Sequence, residues 1–130
     1  VAAKYVLDAS ALLCLFNQEK GQDRVRAALS EAVVSAVNYS EVVSKLVERG
    51  GDITVVSRAL DNLHLTVIGF DHAQAIQAGA FRKETREAGL SFGDRACLAL
   101  AKTHGLVAIT ADQAWARLDD DVGVRVELLR

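Results

Sequence analysis

The sequence predicts an α/β fold: a central, mostly parallel sheet of about five strands, covered by helices on both faces in three layers. Three observations carry this. Short apolar runs alternate with helical patterns along the whole chain, and strands spaced by helical segments require crossover connections. Two of those runs, Lys4-Tyr5-Val6-Leu7-Asp8 and Leu106-Val107-Ala108-Ile109-Thr110-Ala111-Asp112, read as buried strands, and each delivers an aspartate at its end. Proline is absent and no Gly/Ser-rich linker interrupts the 130 residues, so one domain over 1–130 is expected, long enough to bury a core.

The elements follow in order. The strand at 4–8 hands over to a helix at 10–17, with Ser10 well placed as N-cap. A helix at 22–30 and a short strand at 32–35 come next. The helix at 38–49 carries an apolar stripe of Tyr39, Val42, Val43, Leu46 and Val47. A helix at 54–63, a strand at 65–68 and a long helix at 72–87 follow. The helix at 92–104 opens on Ser91 to Asp94, the spacing of a capping box. The strand at 106–110, a helix after Asp112 and a last strand near 124–128 complete the pattern.

Composition narrows the function classes. A formal charge of −2 gives no global basic field, so nucleic acid would have to be held by a local patch. Cys14 and Cys97 each lie in an apolar helical stretch and read as buried thiols. His64, His72 and His104 show no zinc spacing with each other or with the cysteines. The longest apolar stretches, 11–16 and 96–101, fall far short of a membrane span. With a strand beginning almost at once there is no room for a signal peptide, and a reducing cytoplasm is the expected location. No glycine-rich phosphate loop follows the first strand, which leaves dinucleotide or NTP binding without support.

Four acids compete between local and functional roles. The carboxyl ends of strands in an open parallel sheet border the crevice where ligands bind, and Asp8 and Asp112 arrive there from opposite ends of the chain. Asp8 closes a run with no other acid inside it; its bland role would be a cap or turn. Asp94 fits the capping box from Ser91, yet shares a helical face with Leu98 and Ala101 and so points inward. Asp112 could itself be an N-cap. Glu41 falls opposite the apolar stripe and precedes Lys45 by four residues, which on periodicity makes it a solvated surface glutamate. Asp119-Asp120-Asp121 reads as a solvated turn.

Taken together, the segments resemble the PIN-domain ribonucleases, in particular VapC-type toxins of toxin–antitoxin pairs. Val6-Leu7-Asp8-Ala9-Ser10-Ala11-Leu12-Leu13 is similar to that family's opening, and Val37-Asn38-Tyr39-Ser40-Glu41-Val42 to its second motif. The stretch from Leu90 through Asp94 to Ala101 resembles the third, and Leu106 to Trp115 the fourth. The resemblance implies that Asp8, Glu41, Asp94 and Asp112 converge on one catalytic site, supported through hydrogen bonds by Ser10 and Thr110. It implies Asp8, Asp94 and Asp112 as ligands of Mg²⁺ or Mn²⁺, which suits an all-oxygen donor set, and Glu41 as the residue that orients or deprotonates the nucleophile. The implied activity is hydrolytic cleavage of RNA.

For the RNA strand, Arg82, Lys83 and Arg86 form the best local basic patch, and Arg95 could touch phosphate or pair with an acid. The resemblance further implies a small cognate antitoxin lying over the acidic groove, and a homodimer. Two alternatives remain: a housekeeping RNA-processing nuclease of the same fold, and a non-catalytic interaction module.

Overall fold

In the computed structural model, which describes residues 2–118 and 120–130, five strands form one sheet: β1 (Tyr5–Leu7), β2 (Ala32–Ser35), β3 (Thr66–Ile68), β4 (Val107–Thr110) and β5 (Val126–Leu128). Their spatial order is β3-β2-β1-β4-β5, and every pairing is parallel. The chain steps outward from β1 through β2 to β3, then returns to the other side of β1 for β4 and β5. The strand order therefore reverses between β1 and β4, and a ligand crevice opens above such a switch point.

Alternation along the strands divides the core into two layers. Val6, Val33 and Ala108 lie in register on one face, beneath α5 (His72–Ala80) and α7 (Phe92–His104). Leu7, Val34 and Ile109 face the other way, under α1 (Ala9–Phe16), α2 (Gln22–Ala28), α3 (Ala36–Glu48) and α4 (Ile53–Asp61). Both faces are covered, which is why the strands read as continuous apolar runs. Leu98, Leu100 and Trp115 fill one layer and Leu12, Val25 and Leu60 the other.

Several expectations need correction. Asp8, not Ser10, caps α1: its carboxylate accepts from the Ala11 N–H, because the extended backbone that an N-cap requires falls at the end of β1. The helix expected from 38 begins two residues earlier, capped by Ser35, and Val47 on its supposed apolar stripe is 41% exposed. The long helix at 72–87 breaks at Phe81 into α5 and the four-residue α6 (Arg82–Thr85), with the Thr85 hydroxyl donating to the Phe81 carbonyl. After Asp112 the chain makes one short 3₁₀ turn, Gln113–Arg117, rather than a helix. Of the acidic run near the C-terminus, Asp119 lies outside the described residues.

Candidate active site

Asp8 is the most constrained of the four acids. It leaves β1 at the switch point and is 2% exposed. One carboxylate oxygen accepts from the Ser10 hydroxyl at 2.7 Å and the Ala11 N–H at 2.8 Å. The other accepts from the Thr110 hydroxyl, at the end of β4, at 2.6 Å. Each hydroxyl has a single proton, and both are directed at Asp8; the 3.2 Å approach of Ser10 to Thr110 therefore brings two acceptors into contact. The knot closes through the backbone, since Ala111 N–H donates to Ser10 Oγ and Asp112 N–H to Thr110 Oγ1. These bonds favour the charged form, but burial outweighs them, and with the nearby charge of Asp94 lifts the carboxyl from 3.8 to about 6.

Asp94 sits in the first turn of α7, half-buried, in a reciprocal capping box: it accepts from Ser91 N–H at 2.9 Å while Ser91 Oγ accepts from Asp94 N–H. The local and the functional descriptions of this residue are thus compatible, because the box engages only one carboxylate oxygen. Burial raises its pKa and the charge of Asp112 adds to the rise. Asp112 is exposed and caps the 3₁₀ turn by accepting from Ala114 N–H at 2.9 Å.

Glu41 departs most from its sequence periodicity. It is half-buried rather than solvated, because the first turns of α3 and α7 pack against each other above the sheet and cover the helix's second face. Its carboxylate lies against Gly93, where any added Cβ would overlap both oxygens. Asn38, buried one turn earlier on α3, donates from one amide nitrogen to Glu41 Oε1 at 2.8 Å and to the Gly93 carbonyl at 2.9 Å. Sequence reasoning gives Asn38 no role. The signal that could have found it is an amide four residues before Val42, on the helix face that enters the core.

The acids share a field as well as a rim. The Cys97 thiol, fully enclosed one turn below Asp94, is pushed well above its ordinary pKa first by burial and then by Asp8, Asp94 and Glu41 together. Among the described residues the ion pairs are Lys4–Glu31, Arg24–Glu127 and Arg130–Glu19, and none engages these four acids. A carboxylate cluster with Asp8 buried in it and no cationic side chain suits a hard divalent cation. Among the described residues no three acidic, His or Cys side chains are already drawn together tightly enough to form a cage.

The predicted basic residues are not gathered with the acids. Arg82, Lys83 and Arg86 line an open groove of about 810 Å³ with Gly79, Ala80, Glu84, Glu87 and Asp121, and none of the four acids borders it. Arg95 is turned toward α5, where it donates to the Ala78 carbonyl at 3.2 Å and lies 5.8 Å from the centre of the Phe92 ring.

The sequence matches the PIN domain family over residues 5–121. It is 33% identical over 120 residues to Ribonuclease VapC3 of Mycobacterium tuberculosis, an alignment covering 86% of this chain and 85% of that protein. Its fold superposes on a chain of the DNA-bound VapBC of Salmonella typhimurium with a TM-score of 0.73, at 22% identity, covering 98% of this chain and 99% of the other. A chain of a toxin–antitoxin complex from Klebsiella pneumoniae gives 0.72 at 20% identity, with 98% of each covered. The sarcin–ricin-loop-cleaving toxin VapC20 of M. tuberculosis gives 0.70 at 19% identity, covering 90% and 98%.

Proposed function

The chain belongs to the PIN-domain family, and from that premise we propose that it is a metal-dependent endoribonuclease, the toxin of a toxin–antitoxin pair. One observation carries the chemistry: Asp8, almost fully buried at a topological switch point, feels the charge of Asp94, as Asp94 feels that of Asp112, and among the described residues no cationic side chain is paired to either of them or to Asp112 or Glu41. Capping accounts for one oxygen of each aspartate, and a cation would offset the mutual repulsion of carboxylates gathered this way. Likeness to a ribonuclease at 33% identity supports RNA as substrate.

Asp8, Asp94 and Asp112 would hold Mg²⁺ or Mn²⁺, which when bound supplies charge neutralisation, orientation of the phosphodiester and a more acidic water. The chain's own part is positional. Ser10, Ala11 N–H and Thr110 fix the Asp8 carboxylate plane and leave one lone pair, on the oxygen bonded to Thr110, for a cation, without rotamer loss on loading. The capping box holds Asp94 by one oxygen only. Glu41, seated at the head of α7, is the group that accepts the nucleophile's proton or orients the nucleophile for in-line attack on phosphorus. A cognate antitoxin is the proposed partner, by likeness to the toxin–antitoxin complexes that share the fold.

The test is cleavage of an end-labelled RNA pool by antitoxin-free protein in Mg²⁺, Mn²⁺ or EDTA, beside Asp94→Asn prepared identically. Metal-dependent cutting lost in the variant is the expected result. A folded protein that neither cuts nor binds Mn²⁺ would overturn the reading in favour of an interaction module.

A further inference from the structure

We propose that Asn38 is a positioning residue for Glu41, and that Gly93 is the notch into which it holds the carboxylate. The inference rests on the nuclease reading of this site. Its geometry stands separately, on three observations.

First, one amide nitrogen of Asn38 serves two acceptors on different helices, Glu41 Oε1 at 2.8 Å and the Gly93 carbonyl at 2.9 Å. Two donor bonds from one –NH₂ fix both the distance and the direction of the Glu41 head relative to α7. Secondly, the space that Glu41 occupies exists only because residue 93 has no Cβ: a methyl group there would lie closer to both carboxylate oxygens than real contacts allow. The glycine φ is ordinary, so space rather than backbone conformation calls for glycine. Thirdly, Asn38 is only 1% exposed, and turning the amide over would set its oxygen against two acceptors, so the donor nitrogen is the end that faces Glu41 and Gly93.

Held this way, Glu41 sits beside the Asp94 turn without a cation to anchor it, and it stays aimed before substrate arrives. Free of the bond, a half-buried glutamate would be held less closely to one rotamer, and misplacement of a reacting group by an ångström can cost roughly 10²-fold in rate.

Two measurements test this. In the metal-free protein, the Asn38 side-chain –NH₂ resonances in a ¹⁵N-resolved spectrum should be shifted and slow to exchange, and should move toward ordinary amide positions in Glu41→Ala. Unchanged Asn38 resonances would overturn the clamp whether or not the protein is a nuclease. In cleavage assays, Asn38→Leu should lower kcat about 10-fold or more, with KM for RNA and the Mn²⁺ titration unchanged, and should slow Glu41→Gln less than twofold. A merely structural Asn38 would slow wild type and Glu41→Gln equally, and that result would overturn the proposal. Gly93→Ala provides the second variant should Asn38→Leu fail to fold: it should reproduce the loss of kcat while leaving Asn38 in place. A wild type that neither cleaves nor binds Mn²⁺ would remove the nuclease reading, leaving the clamp to the spectroscopic arm.

Discussion

Asp8 and Asp112 are built alike and live differently. Each follows a central parallel strand, each has extended backbone, and each caps the turn that follows by accepting a backbone N–H. Yet Asp8 is 2% exposed, with hydroxyls on both oxygens, whereas Asp112 stands exposed with its one bond to Ala114. The difference comes from what closes over them. Ser10 from the first turn of α1 and Thr110 from the end of β4 close around Asp8, while the 3₁₀ turn after Asp112 buries Trp115 and leaves the Asp112 carboxylate exposed. One local motif thus yields a desolvated carboxylate and a relaxed one, and the desolvated one has more to gain from a cation.

The largest effect that would sharpen this contrast is on cleavage. Asp8→Asn should lower metal-dependent RNA cutting by roughly 10²-fold or more, since the lost charge stabilisation is several kcal/mol. Asp112→Asn should cost distinctly less, and its deficit should shrink as Mn²⁺ is raised. Equal losses at all metal concentrations would mean that burial does not rank the two acids.

Next comes stability without metal. Because the folded pKa of Asp8 lies at about 6, above its ordinary 3.8, the folded state binds this proton more tightly than the unfolded chain does. The group's contribution is therefore most favourable below about pH 4 and is lost as pH rises through about 6. The resulting cost at neutral pH is on the order of 3 kcal/mol. Asp8→Asn retains a good cap and should raise the urea midpoint of metal-free protein at pH 7, by less at pH 4. Asp112→Asn should move it by within ~0.5 kcal/mol. A wild-type minus Asp8→Asn difference that does not change with pH would contradict the burial argument. Added Mn²⁺ should stabilise wild type more at pH 7 than at pH 5.

Thr110→Val tests the knot that separates the two acids. It removes the donor to Asp8 and the acceptor for Asp112 N–H, at a cost of about 1–3 kcal/mol in thermal or chemical unfolding. Ser10→Ala should cost less, its hydroxyl being only partly buried. The smallest effect belongs to the basic groove. Arg82→Ala with Lys83→Ala should leave kcat at saturating RNA unchanged while weakening binding. The slope of log affinity against log salt should also flatten, by about 0.7 for each phosphate no longer neutralised on a single strand. A fall in kcat would bring that groove into the catalytic centre.

Much of this is legible in the residues. The apolar runs mark the strands, and Ser91 to Asp94 marks the start of α7 because capping chemistry is local. Glu41 is misplaced by periodicity, which assumes one buried face per helix, whereas α3 is covered on two. The helix at 72–87 reads as unbroken because nothing in its composition marks the interruption at Phe81.

By itself the sequence determined the strand–helix alternation, the four acids and their chain order, since these depend on side-chain type and on spacing within a turn or two. Tertiary structure alone decided that β1 and β4 lie side by side, which brings Thr110 onto Asp8 from 102 residues away. It likewise decided that Gly93 faces Glu41 and that Asn38 spans the gap. Burial, and with it the raised pKa of Asp8, is a property of what surrounds a carboxylate. No stretch of chain carries it until the layers close.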